Sequence, residues 1–181
     1  MKKTPGIDST SGSLGNGISI GLGTALAGRV TRQDYFTYVV VGDGEIQEGI
    51  VWEAAMAAVH YRVGRLIVFV DHNGQQSGGP VDQMSGLCPV LPKWEAFGWR
   101  AIRVNGHDYD QLDRAFAELP LAPGKPSVII ADTVRNKGLP SIEGKPDRWF
   151  VKLTPPEVEQ LIAELHGADA SELTSSPLVV R

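Results

Sequence analysis

Two short, wholly apolar segments, each ending at a turn of glycine and polar residues, constrain the fold of this chain most strongly. The first, Tyr38–Val41, ends at Gly42-Asp43-Gly44, and the second, Leu66–Val70, ends at Asp71-His72-Asn73-Gly74. Uninterrupted apolar strands are typical of parallel sheets that are buried on both faces. Because an alanine-rich helical segment at 48–61 lies between them, we predict a parallel βαβ unit.

The same alternation continues along the chain. Apolar residues three and four apart predict a helix at 11–28, for which Ser11 or Ser13 is the expected cap. The remaining periodic segments predict further helices at 93–97 and 109–119 and strands at 100–104 and 127–131. We therefore predict an α/β fold, a doubly wound and mainly parallel sheet with helices on both faces. A single domain is expected over 1–181, with an irregular loop at 133–153 and a last helix at 155–166.

Composition excludes several classes of function. The net charge is −4 and the basic residues are scattered, which argues against a nucleic-acid partner. No apolar run reaches the roughly 18 residues of a membrane span. The single cysteine, Cys88, cannot form an internal disulfide and is typical of a reducing compartment. We therefore expect a cytoplasmic protein without a membrane partner.

Asp43 and Asn73 are the strongest candidates for a binding site. Each follows a buried strand, and if the two strands are neighbours the side chains converge at one edge of the sheet. Carboxylate and amide oxygens suit Mg²⁺, whose coordination phosphate oxygens can complete. Gly42 and Gly44 would let a diphosphate approach the backbone at the start of a helix. The alternative is that Asp43-Gly44 and Asn73-Gly74 are ordinary turns.

The spacing of these residues resembles a known cofactor motif. Gly42-Asp43-Gly44 is followed after 28 residues by Asn73, which is similar to the thiamine diphosphate motif. Four further segments resemble motifs of the transketolase family in the same order, and the likeness covers about residues 4–140. These segments are GSLGNG at 12–17, GDGEIQEGIVWEAA at 42–55, FGWRAIRVNGHD at 97–108 and KPSVIIADTVRNKG at 125–138.

The resemblance implies a role for each matching position. Asp43, the Asn73 side chain and the main-chain carbonyl of Gln75 would hold Mg²⁺. Gly42, Gly44 and Asn73 would contact the diphosphate of thiamine diphosphate. Leu14, with Gly12 and Ser13, would lie beside the rings of the cofactor.

The resemblance also implies a subunit interface. Glu48 and Glu53 match two acidic residues that, in transketolases, join the two active sites of the dimer. The alternative is a solvated helix start, where acidic side chains are favoured by the helix dipole. His107 lies in a turn similar to the family's GHD turn, and we predict a structural role for it.

Two departures from the family pattern suggest that the chain acts with a partner. Family histidines that precede the glycine-rich segment have no counterpart here, and Arg148-Trp149-Phe150 stands where another histidine is expected. No segment resembles the pyrimidine-binding domain. The resemblance thus implies a diphosphate-binding subunit or fragment, inactive alone, of an enzyme that transfers a two-carbon ketol unit from a ketose to an aldose or between their phosphates. Its expected partner is a pyrimidine-binding subunit in an α2β2 or larger assembly.

Other functions stay open at this point. Deoxyxylulose-phosphate synthases and the α subunits of 2-oxo acid dehydrogenases share the Gly-Asp-Gly motif. A non-catalytic module that retains the fold is a further alternative. A Rossmann nucleotide-binding site is weaker, because Gly21-Leu22-Gly23 follows no predicted strand and lacks the third glycine.

Overall fold

The computed structural model describes residues 4–77, 79–145 and 152–167. The chain divides into two compact units, one of residues 11–133 and one formed by 1–10 with 134–181. The prediction of one domain over the whole chain stays a prediction.

The larger unit is built on a parallel sheet and a short antiparallel hairpin. The strands are β1 (Thr37–Gly42), β2 (Leu66–His72), β3 (Gln75–Gln76), β4 (Gly79–Pro80), β5 (Arg100–Asn105) and β6 (Ser127–Asp132). The sheet has four parallel strands in the order β1-β2-β6-β5, and β3 and β4 form the hairpin that follows β2. β1 and β2 are neighbours, and Gly42 pairs with Asp71 at their carboxyl ends. The predicted βαβ unit is therefore confirmed.

Six α-helices occur in the described residues, and each predicted helix is found within a few residues of its expected bounds. They are α1 (Asn16–Val30), α2 (Gly49–His60), α3 (Val81–Met84), α4 (Val90–Ala96), α5 (Tyr109–Ala117) and α6 (Pro155–His166). A short 3₁₀ helix, Glu45–Gln47, precedes α2, which crosses from β1 to β2.

The main core lies on one face of the sheet. Val68 and Val70 of β2 are fully buried there with residues of α1, α2 and α4, including Ile18, Ala55 and Trp94. The Trp99 indole donates a hydrogen bond of 3.0 Å to the Ala55 carbonyl, which satisfies its polar atom inside the core. Close packing of small residues on α2 against large aromatic rings thus holds α2 against the sheet.

The opposite face carries α5, so helices lie on both faces as predicted. Phe116 of α5 stacks on Phe69 of β2, with ring centroids 6.1 Å apart. β1, an edge strand among the described strands, lies largely outside this cover: Tyr38 is 53% and Val40 72% exposed. The prediction that β1 is buried on both faces is wrong for the described residues, because Tyr38 and Val40 remain exposed although the Phe116 ring of α5 contacts the Tyr38 ring.

The predicted serine cap of α1 is also wrong. The helix begins at Asn16 after Gly15, which has a φ of 80° and provides no side chain. The hydroxyl of Ser11 instead donates to the Ser13 carbonyl, and the Ser13 hydroxyl accepts from the Asn16 side chain at 2.6 Å. These serines therefore order the segment before the helix rather than its first turn.

The smaller unit contains α6, whose N-cap residue is Thr154; the Glu157 carboxylate accepts a hydrogen bond from the Thr154 amide at 2.8 Å. Residues 134–145 form turns, and the amide of Ser141 donates to the Glu164 carboxylate of α6 at 3.0 Å. Arg148, Trp149 and Phe150 lie outside the described residues. Among the described helices, none combines the length and the apolar character that crossing a bilayer would require.

Candidate functional site

The Asp43 carboxylate is the centre of the candidate site, at the carboxyl edge of β1. Asp43 is 1% exposed. Its Oδ1 accepts the Gly44 amide at 2.8 Å, and its Oδ2 accepts the Gly74 amide at 2.6 Å. The second bond joins the turn after β1 to the turn after β2. The two predicted turns are therefore brought together.

Asn73 lies in the same loop with its side chain held in one orientation. Its amide nitrogen donates to the Asp71 carboxylate at 3.2 Å, and its oxygen accepts the Gln75 amide at 3.0 Å. An amide oxygen has two lone pairs, so one is left for a second partner. The loop thus presents an oriented amide oxygen next to the residue that binds Asp43.

The glycines of the motif differ in what surrounds them. A Cβ on Gly44 would lie 2.8 Å from the Gln76 Cβ, so only glycine permits the hairpin of β3 and β4 to approach this turn. A Cβ on Gly42 would meet no described atom within 4 Å, and the same is true of Gly12. Gly44 therefore packs against protein, whereas open space lies beside Gly42 and Gly12.

The electrostatics of the site favour a cation. Burial raises the pKa of the Asp43 carboxyl above its usual value of 3.8, and the nearby Asp71 carboxylate adds to the rise. The amides of Gly74 and Gly44 and the neighbouring His72 oppose this rise in the pKa only in part. A divalent cation would offset the cost of burying the charge. Carboxylate, amide and carbonyl oxygens are also the ligands that Mg²⁺ prefers, so the donor set fits this ion.

Glu45 connects the glycine-rich segment before α1 to this edge. Its Oε1 accepts the Gly15 amide at 3.0 Å and its Oε2 accepts the Gly42 amide at 3.1 Å. Both bonds are charge-assisted, the stronger class of protein hydrogen bond. One carboxylate therefore fixes the start of α1 relative to the end of β1.

The predicted ring-binding residues Gly12, Ser13 and Leu14 lie just before this connection. All three are exposed, and Leu14 is 57% exposed. A Cβ on Gly15 would lie 2.8 Å from the Cβ of Glu48, so the segment runs directly against the start of α2. Gly15, the residue after Leu14, thus lies against both Glu45 and Glu48.

Glu48 and Glu53 are both exposed. Glu48 is the residue before α2, and Glu53 lies in its second turn. Within the described part of the chain neither carboxylate forms a hydrogen bond or an ion pair. The two acidic residues are therefore available to a partner but are not brought together with Asp43.

A second layer of polar residues supports the site, and sequence reasoning did not identify it. The Asp71 carboxylate accepts from the Thr133 hydroxyl as well as from Asn73. Next to it, His72 Nδ1 lies 2.8 Å from the Asp132 carboxylate. Arg103 donates two hydrogen bonds of 2.6 and 2.7 Å to Asp132, which lower the pKa of the Asp132 carboxyl.

The position of these residues in the sequence was an available signal. Asp71 and Asp132 both stand at the end of a predicted apolar strand, as Asp43 does. The order of the strands in the sheet decides which of these three aspartates lie close together. The sequence does not reveal that order. Glu45 gave no comparable signal, because it acts from a single turn of 3₁₀ helix.

Comparison with known proteins identifies the family of this chain. Residues 1–174 match the family described as "Transketolase, thiamine diphosphate binding domain". The chain is 41% identical over 170 residues to the 6-deoxy-6-sulfo-D-fructose transketolase subunit SqwG of Clostridium sp. (strain MSTE9), covering 94% of this chain and 62% of that protein. It is 37% identical over 142 residues to an apulose-4-phosphate transketolase subunit of Phocaeicola vulgatus, covering 78% of this chain and 50% of that protein.

Solved structures show the same relationship. The transketolase from Leishmania mexicana superimposes with a TM-score of 0.77 at 31% identity, over 90% of this chain and 26% of that one. The transketolase from Campylobacter jejuni gives a TM-score of 0.78 at 28% identity, over 88% of this chain and 26% of that one. The α/β fold predicted from the sequence is therefore confirmed. The chain belongs to the transketolase family and corresponds to its thiamine diphosphate-binding domain.

Proposed function

We propose that this chain is the diphosphate-binding part of an enzyme that transfers a two-carbon ketol unit from a ketose, or a ketose phosphate, to an aldose or its phosphate. The observation that carries the proposal is the buried Asp43 carboxylate, held by amides of two turns beside the oriented Asn73 oxygen. The chain spans 62% and 50% of the lengths of the two relatives described above.

Mg²⁺ would be held by Asp43, the Asn73 amide oxygen and the main-chain carbonyl of Gln75. The burial of Asp43 supports this assignment, because a buried carboxylate is stabilised by a cation. The diphosphate would then lie beside Gly42, where the backbone has open space, with Gly44 and Asn73 at the other side.

The rings of thiamine diphosphate would lie beside Gly12, Ser13 and Leu14. The exposed Leu14 side chain offers an apolar surface there, and Glu45 holds its segment in place. Thiamine diphosphate supplies the carbon nucleophile that breaks and forms bonds next to a carbonyl, and the residues of this chain bind and orient it.

We infer that catalysis needs a second, pyrimidine-binding polypeptide in an α2β2 or larger assembly. The names of two relatives contain the word subunit, which supports a divided enzyme. Glu48 and Glu53 would face that interface, consistent with their exposure and with carboxylates that have no described hydrogen-bond partner. The cytoplasmic location also stays a prediction.

The Mg²⁺ assignment predicts that Asp43→Ala abolishes Mg²⁺-dependent retention of thiamine diphosphate. Even outer-shell substitutions at metal sites cost about 10- to 100-fold in affinity, so we expect loss of a ligand to weaken binding by more than about 100-fold. Isothermal titration of the full chain, with and without Mg²⁺, measures this. Asp110→Ala, which removes an exposed carboxylate from α5, is the matched control.

The result also distinguishes binding from folding. Circular dichroism should be the same for both variants, because Asp43 makes its hydrogen bonds at a loop edge. Equal Mg²⁺-dependent affinity in Asp43→Ala and the control would refute the metal assignment.

Purification of the tagged chain from its source cells, followed by native mass spectrometry, tests the partner: a second polypeptide and the cofactor in equal numbers with this chain are expected.

A further inference from the structure

A cavity lies at the opposite edge of the sheet from the candidate site. Its volume is about 480 Å³, and it is lined by the carboxyl end of α1, by the segments that precede β1 and β2, and by two residues of the loop before β6. A strand of six residues rises about 3.3 Å per residue, so roughly 20 Å separates this cavity from Asp43. The cavity is therefore distinct from the proposed cofactor site.

The cavity is strongly basic. Four arginines line it, Arg29, Arg32, Arg62 and Arg65, with Asp34 as the one acidic residue in its lining. The whole chain, in contrast, has a net charge of −4. A concave surface lined by charges of one sign concentrates ions of the opposite sign. The local charge therefore favours an anionic ligand.

Two of the arginines already have partners in the protein. Arg29 donates to the main-chain carbonyl of Tyr61, and Arg65 forms an ion pair with Asp34. The Arg65 guanidinium also lies over the Phe36 ring, 4.9 Å from its centroid. The side chains of Arg32 and Arg62, in contrast, form no hydrogen bond or ion pair with any described residue. Each of these two guanidinium groups thus keeps its five N–H donors for a ligand.

The backbone at Arg32 and Arg62 is unusual. Their φ values are 56° and 51°, and the only other described non-glycine residue with positive φ is Asn136. Both arginines follow the last residues of a helix, α1 and α2 respectively, where glycine is the common choice. A side chain with a Cβ is disfavoured in this conformation. Arginine therefore occupies two positions, 32 and 62, where the backbone conformation favours glycine.

We propose that this cavity binds a small phosphate monoester, with the phosphate held by Arg32 and Arg62. The planar guanidinium matches the oxygens of a phosphate in a two-pronged contact. The volume falls within the range of small-molecule sites and exceeds what an inorganic ion requires. The aromatic residues Tyr35 and Phe36 also line the cavity, where they would contact the organic part of the ligand. Tyr35 is fixed by a hydrogen bond of 2.8 Å from its hydroxyl to the Thr24 carbonyl.

Nuclear magnetic resonance titration of the full chain, without Mg²⁺ or thiamine diphosphate, tests the proposal. The probes are adenosine monophosphate, which carries a phosphate monoester and an aromatic base, and inorganic phosphate. We expect saturable amide shifts at residues 28–36 and 61–65, with adenosine monophosphate bound more tightly. Shifts confined to the turns around Asp43, or no saturable shifts at all, would overturn the proposal. Equal affinity for the two probes would overturn the organic part of it.

Paired substitutions identify the residues that bind. Arg32→Gln with Arg62→Gln should raise the dissociation constant at least about tenfold, because two charge-assisted contacts are lost. Arg100→Gln is the matched control, since Arg100 is exposed at the amino end of β5, two strands from β2, and does not line the cavity. Equal binding by the paired variant and the control would contradict the assignment.

A second pair of variants separates ligand binding from a role in ending the helices. Basic side chains near helix carboxyl ends can stabilise the helix dipole, so a structural role predicts a lower melting temperature when they are removed. Arg32→Gly with Arg62→Gly removes both the charge and the backbone conflict. We expect its melting temperature to be equal or higher, with binding lost. A lower melting temperature with binding retained would assign the arginines to the helix ends instead.

Discussion

At the scale of single residues, the carboxylates at this edge of the sheet act through different contacts. Asp43 is buried, and two main-chain amides of the described residues donate hydrogen bonds to its carboxylate. Glu45 is partly exposed and spans two segments that are 27 residues apart in the sequence, through Gly15 and Gly42. Asp43 is thus suited to hold a cation, whereas Glu45 is suited to hold the surrounding backbone.

Glu45→Gln tests this difference. The glutamine oxygen can replace only one of the two carboxylate acceptors, and its amino group faces the other N–H as a second donor. Each lost hydrogen bond to a charged group is worth about 1.5–3 kcal/mol, less where water reaches the site. We expect faster hydrogen exchange at the Gly15 and Gly42 amides and weaker cofactor binding, with the fold retained.

The control for this variant is Glu95→Gln on α4, an exposed glutamate far from the glycine-rich segment in the sequence. Amide exchange followed by mass spectrometry or magnetic resonance gives the comparison. If exchange at Gly15 and Gly42 is the same in both variants, Glu45 does not hold the segment.

At the scale of elements, the sequence predicted most of what positions the site. Asp43 and Asn73 were expected to converge because parallel strands end at one edge, and the hydrogen bond from the Gly74 amide to Asp43 shows that the two turns that carry them meet. That the two side chains hold one ion stays a prediction. The start of α1 was mispredicted, because serine propensity for caps does not reveal that a Cβ at position 15 would lie only 2.8 Å from the Glu48 Cβ. The exposure of Val40 was also missed, since an apolar strand has the same sequence whether or not a helix covers its second face.

The GHD turn between β5 and α5 was recognised in the sequence by its resemblance to a family motif, but its role in capping α5 was not predicted. Asp108 is the N-cap residue of α5, and its carboxylate accepts hydrogen bonds from the Gln111 amide at 3.0 Å and from the Gln111 side chain at 2.7 Å. Gly106, two residues earlier, donates its amide to the Asp132 carbonyl at 2.7 Å, where a Cβ would lie 2.5 Å from Thr133. The GHD turn is therefore explained here by capping and close packing.

Capping by Asp108 predicts a pH-dependent contribution to stability. The hydrogen bonds from Gln111 lower the pKa of the Asp108 carboxyl below its usual 3.8 in the folded chain. The stabilisation is therefore fully present above pH 3.8 and is lost as the pH falls through the folded-state pKa. Asp108→Ala should lower the urea midpoint at pH 7, and its difference from the unsubstituted chain should shrink below pH 3.8.

Asp108→Asn separates capping from charge, because asparagine caps helices about as well as aspartate. It should retain most of the midpoint at pH 7 while removing the pH dependence contributed by this group. Asp113→Ala, which removes an exposed acid from the middle of α5, is the control for loss of charge alone. A midpoint for Asp108→Ala that equals that of Asp113→Ala would contradict a capping role.

At the scale of the whole molecule, the surface is consistent with a chain that works with a partner. Leu14 is exposed beside the candidate cofactor site, and Tyr38 and Val40 expose apolar surface on β1. The side chains of Glu48 and Glu53 are also exposed, and their carboxylates have no hydrogen-bond partner among the described residues. Which of these surfaces the proposed second polypeptide would cover depends on the sequence of that polypeptide, so this chain's sequence alone cannot predict it.

Glu53→Ala is the sharpest test of the proposed interface. Glu53 is exposed on α2, and surface substitutions of this kind usually change stability by less than about 0.5 kcal/mol. We therefore expect an unchanged melting temperature for the isolated chain, no ketol transfer by that chain alone, and a marked loss of assembly and activity when the pyrimidine-binding partner is added. Glu95→Ala, an exposed glutamate of α4, should assemble normally, as measured by native mass spectrometry. Normal assembly and activity of Glu53→Ala would place the interface elsewhere, with the uncovered side of β1 as the next surface to test.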